Sequence, residues 1–105
     1  MQKIAHRQYL VQSDETITVS LTAANGCVVN FDVNGNSGLL NQGHPLSIPI
    51  AGSTKTLNLL ANFTVSSGGQ CSILIQGDKG GSDTDTIDQG SFGVPVTNAA
   101  YRFQV

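Results

Sequence analysis

Four of the six aspartates of this 105-residue chain fall between Asp78 and Asp88, in a stretch rich in Gly, Ser and Thr. Carboxylates at that density repel one another unless a cation shares them. Asp78, Asp83, Asp85 and Asp88, helped by hydroxyls and turn carbonyls, are the hard oxygen donors that Ca²⁺ gathers in groups of about six to eight. A calcium site is therefore one expectation for the segment. The plainer one is a solvated loop between two strands, since loops are made of these residue types. EF-hand spacing is missing, because no Glu closes the segment.

Cys27 and Cys71 are the second group with chemistry in them. Both fall on the apolar phase of an alternating run, so two inward-facing thiols on opposing sheets can meet across a core. A bridge closing their 43-residue intervening segment stabilises by roughly 3–4 kcal/mol on the chain-entropy view. The alternative is a pair of small buried hydrophobes that never touch. Zinc is not expected, because two cysteines without nearby histidines cannot complete a tetrahedral site.

Asn34, Asn36, Asn41 and Gln42 are the third group, amides placed to bind sugar hydroxyls or a protein surface, or else simply to form turns. Catalysis is not expected. His6 and His44 have no neighbour at ligand spacing, and no G-x-S-x-G elbow or phosphate loop occurs. Gly80 to Asp88 resembles a single copy of the calcium-binding nonapeptide of RTX proteins, with Asp83 where a glycine of that repeat stands. The resemblance covers nine residues and implies a bound calcium ion between successive turns.

The elements that must position these groups are strands. Ile17, Val19, Leu21 and Ala23 alternate with Thr18, Ser20 and Thr22, and Cys27, Val29, Phe31 and Val33 alternate with Val28, Asn30 and Asp32. The same period of two runs through Leu57 to Val65, Cys71 to Ile75 and Ala99 to Val105, and it marks strands with one buried face. Ile4 to Val11 is a further strand. Pro45, Pro49 and Pro95 make Leu46 to Ile50 and Phe92 to Val96 edge strands or strand ends. Turns are expected at Asn25-Gly26, Asn34 to Gly38, Ala51 to Ser53, Ser66 to Gly69 and Gly77 to Gly90. No segment carries a helical stripe.

This pattern predicts one all-β domain over residues 1–105, an antiparallel two-sheet β-sandwich of immunoglobulin-like or jelly-roll type with about seven or eight short strands. Its core is expected to include Val19, Leu21, Val29, Phe31, Leu57, Leu59, Phe63, Ile73, Ile75, Tyr101 and Phe103. Tyr9 and Phe92 are the aromatics left for the surface. With no Trp in the chain, the ring that packs on the immunoglobulin disulfide is missing.

Charge narrows the partners. Five scattered Lys and Arg and a net charge of −2 offer no cluster for phosphate backbones, so nucleic acid is not expected. No apolar run is long enough to insert in a membrane. The first residues lack a signal pattern; either the chain is made for the cytoplasm or a signal has been removed, and the charge-poor composition favours the cell exterior. These readings converge on a non-catalytic binding or adhesion module for a glycan or a protein surface, with a calcium ion as the expected brace. The alternative is a structural subunit that self-associates through its edge strands into a homo-oligomer.

Overall fold

The structure, a computed structural model, describes residues 1–91 and 93–105. Ten strands occupy them: β1 (Gln2–Ala5), β2 (Gln8–Leu10), β3 (Thr16–Asn25), β4 (Cys27–Val33), β5 (Asn36–Leu40), β6 (Leu46–Pro49), β7 (Lys55–Phe63), β8 (Gln70–Gly77), β9 (Ser82–Asp88) and β10 (Val96–Gln104). Six form a sheet in the order β1-β2-β10-β7-β4-β5, and four form a second in the order β6-β3-β8-β9. All pairings are antiparallel except that of β10 with β2. Among the described residues no helix is long and apolar enough to cross a membrane.

The period of two explains which face is buried. On β7 Leu57, Leu59 and Ala61 are fully buried, while Asn58 and Leu60 point the other way. Ile73 and Ile75 on β8, and Ala99, Tyr101 and Phe103 on β10, follow the same rule. The buried side chains of both sheets belong to one hydrophobic cluster. Each fully buried Leu, Ile or Phe contributes about 1.5–3 kcal/mol over its exposed state, which makes the register hard to slip. On β3 a bulge between Leu21 and Ala23 shifts the phase, so that Ala24 rather than Ala23 packs against the core.

Ten strands stand where seven or eight were expected, and the difference has local causes. The Gly77–Gly90 stretch is not a loop throughout, because β9 runs through it as an edge strand. Its Thr84 and Thr86 are β-branched and face solvent, while Asp83, Asp85 and Ile87 face inward. β5 likewise begins inside the expected Asn34–Gly38 turn. Asn34 and Gly35 both have positive φ, so those two residues make the whole turn. Ile4 to Val11 divides into β1 and β2 around His6-Arg7.

Two aromatic placements also need correction. Tyr9, expected at the surface, is fully buried and stacks on Phe103 with ring centroids 5.4 Å apart. Phe31 and Phe63 have the expected inward phase but lie at the rim of the core, half-buried. The expectations for Phe92 lie outside the described residues. Two polar side chains, Glu15 and Gln89, are buried without having been anticipated. Gln89 accepts from the Gly69 amide at 2.8 Å and donates to the Val65 and Val94 carbonyls, tying the β7–β8 and β9–β10 connections together.

Candidate functional site

A cleft of about 280 Å³ opens between β4 and β6. Its apolar side is made by Phe31, Val33 and Leu46, and its polar side by Asn34, Asn36 and Lys55. The local sequence builds it. The Asn34-Gly35 turn returns the chain so that Asn36 pairs with Val33, placing both amides at the mouth. Across from Phe31 on β5 stands Gly38, and a Cβ there would meet the Phe31 ring at 2.9 Å. Glycine at that position lets the ring lie flat over the neighbouring strand. Among the described residues, Lys55 is the sole ionisable side chain lining the cleft.

The expected amide group divides at this point. Asn34 and Asn36 reach the cleft, whereas Asn41 and Gln42 follow the far end of β5, about 16 Å along the strand at ordinary rise. There Asn41 bridges to His44, and Gln42 donates its side-chain amide to the Thr22 carbonyl at 3.0 Å. The four amides thus lie in two pairs at opposite ends of β5.

The aspartates divide as well. Asp78 accepts the Thr16 amide at 2.9 Å, and Asp88 accepts the Gly90 amide at 2.9 Å, each closing a connection at one end of β9. Asp83 and Asp85 face the other sheet. The Tyr9 hydroxyl donates to Asp83 Oδ2 at 2.7 Å, and Lys3 Nζ lies 3.3 Å from the same oxygen. The Tyr101 hydroxyl and Arg7 Nε both donate to Asp85 Oδ2, at 2.6 and 2.7 Å. Arg7 also stands over the Tyr101 ring, 5.5 Å from its centroid. Among the described residues, no three His, Cys, Asp or Glu side chains converge closely enough to hold a metal ion.

This clasp has clear electrostatic consequences. Burial pulls the Asp85 carboxyl upward, but the hydrogen bonds from Tyr101 and Arg7 outweigh it and hold the group below the usual carboxylate range. Burial, reinforced by the hydrogen bond to Asp85, pushes the Tyr101 hydroxyl well above its ordinary value. Tyr9 is raised in the same way through Asp83. Arg7 has a φ of 59°, a left-handed conformation usually left to glycine. That backbone aims its side chain from the β1–β2 turn toward β9. Sequence reasoning found the carboxylates but missed Tyr9, Tyr101 and Arg7. The i, i+2 spacing of Asp83 and Asp85 was the available signal, because it puts both on one face of a strand.

Cys27 on β4 and Cys71 on β8 come from different sheets, and they are near enough for each sulfur to perturb the other. Both are free thiols here, and Cys27 Sγ also donates to the Gln70 carbonyl at 3.5 Å. Burial, then the adjacent Cys27 sulfur, pushes Cys71 up to about 12. Glu15, 1% exposed, holds the Met1 ammonium at 2.9 Å and accepts the Gln12 amide at 3.0 Å.

No protein-family model matches the chain, and neither a curated protein nor a solved structure is significantly similar to it.

Proposed function

We propose that this chain is a non-catalytic binding module of β-sandwich build that takes a small, uncharged, hydroxyl-rich ligand in the cleft at Phe31. The observation carrying this reading is the pairing of an apolar wall with convergent amides at the mouth of that cleft. One face of a pyranose ring is apolar enough to stack on Phe31, while its hydroxyls meet the amides of Asn34 and Asn36, which both donate and accept, and the Lys55 ammonium, which donates. The volume lies just below the range of drug-sized sites and fits one or two sugar units. Lys55 is the one ionisable group among the described residues lining the cleft, so the ligand is held by stacking and hydrogen bonds rather than by a charge pair.

A glycan array followed by titration calorimetry tests the reading. Binding is expected to be weak, and Phe31→Ala and Asn36→Ala are each expected to lower affinity roughly tenfold, the usual loss for one stacking or one amide contact. Variants at Asn41 and Gln42 are expected to bind normally. Equal binding by all four variants would remove the ligand from the cleft.

An exterior location belongs to the same proposal, and the thiol pair supports it. In an oxidising compartment Cys27 and Cys71 would lose two protons and pass two electrons to a disulfide-bearing oxidant, joining the two sheets. Protein isolated from such a compartment is expected to show no free thiol after denaturation. Two titratable thiols would remove the bridge.

A further inference from the structure

The outer face of the six-stranded sheet pairs its residues in rows that run straight across the strands. Asn98, Leu60 and Asn30 are neighbours across β10, β7 and β4, and Val96, Asn62 and Val28 form the next row. Val28 is 46%, Leu60 38% and Val96 45% exposed. The first row toward the other end centres on Asn58 and ends on Asp32, and the row beyond it carries Arg102. Neither Asp32 nor Arg102 has an ion-pair partner among the described residues. The face therefore combines exposed aliphatic groups and amides with one anion and one cation, both unpaired.

We infer that this face is the contact surface of a homodimer, with a twofold axis lying along β7. Such an axis lays β10 of one copy over β4 of the other, because the two strands flank β7 at equal distance. Leu60 then meets the partner's Leu60, and Val96 meets the partner's Val28. Asn98 faces the partner's Asn30, and Asn62 faces the partner's Asn62. An amide both donates and accepts, so each of these polar contacts is self-complementary. The charges settle the choice of occupant. Arg102 on β10 comes to the same side of the axis as the partner's Asp32 on β4, about two residues away along the strand and within the reach of a guanidinium. Both charges are matched twice over. The cleft at Phe31 is lined from the opposite face of β4 and stays open in this arrangement, so the inference is independent of the glycan reading.

Sedimentation velocity across micromolar to sub-millimolar concentrations tests it. The unmodified protein is expected to shift from monomer to dimer over that range. Leu60→Arg puts two cations on the axis and is expected to be monomeric throughout, with an unchanged circular dichroism spectrum because the side chain is exposed. Arg102→Asp and Asp32→Arg, each alone, set like charges opposite and are expected to weaken association by at least roughly tenfold. The double variant Asp32→Arg/Arg102→Asp is expected to restore it. A protein monomeric at every concentration, a dimer insensitive to Leu60→Arg or to the single charge changes, or a double swap that fails to rescue would each overturn the dimer. Such results would give the face to another occupant or the association to the edge strands.

Discussion

Asp85→Ala is expected to lower the free energy of unfolding by about 3–4 kcal/mol, although Asp85 lies on an edge strand. The mutation removes the one oxygen that accepts from both Tyr101 and Arg7. Tyr101 is fully buried, so its hydroxyl is left without an acceptor, and a partly buried guanidinium is left without its counter-ion. Removing one partner of such a pair is costly because the other keeps its desolvation penalty. Asp85→Asn keeps an acceptor for the hydroxyl and should lose about half as much. Urea denaturation of the three proteins checks this, and equal midpoints for all three would show that the clasp is not stabilising.

The same clasp sets a pH window. The Asp85 carboxyl titrates lower in the folded chain than in the unfolded one, so its contribution is present above about pH 4 and is lost as pH falls through the folded value. Tyr9 and Tyr101 are shifted upward, so their contribution is present below about pH 10 and is lost as pH rises further. Asp85→Ala should flatten the acid side of the profile. Melting curves in millimolar calcium and in chelator belong to the same experiment. Equal midpoints are expected, since Arg7, Lys3 and two tyrosines already satisfy the inward carboxylates. A higher midpoint in calcium would favour a cation shared by the acidic strand.

Phe103→Ala is expected to cost about 3–5 kcal/mol, the usual range for truncating a fully buried phenylalanine. It also breaks the stack on Tyr9, whose planes are inclined by 19°. Phe63→Ala should cost about 1–2 kcal/mol, because that ring is only partly buried at the rim of the core. The two residues share a chemistry and an inward phase, and differ in depth. Equal losses would mean that Phe63 is as deeply packed as Phe103.

That contrast shows how far the sequence could be read. Period-two alternation identified the buried faces of β3, β4, β7, β8 and β10, because each carries three or more apolar residues in phase. Depth along a strand was not legible, since Phe63 and Leu59 have the same phase and differ only in what lies beyond the strand end. β9 was hidden because its inward positions are Asp83 and Asp85, whose burial depends on hydroxyls contributed by Tyr9 and Tyr101 from distant strands. Tyr9 was hidden for the reciprocal reason. The cleft was half legible: Asn34 and Asn36 were marked by turn chemistry, but Phe31 read as core. The ring's place beside the neighbouring strand follows from Gly38 across the ladder, a long-range pairing that a single strand pattern does not contain.

The cleft is tested most directly by titrating isotopically labelled protein with short oligosaccharides while following amide and side-chain NMR signals. The account predicts shifts concentrated at Phe31, Asn34, Asn36 and Lys55, with the Asn41 and Gln42 signals unmoved, and predicts that Phe31→Ala abolishes them. Shifts centred on the far end of β5 or on the outer sheet face, or none with any sugar that the array selects, would contradict it.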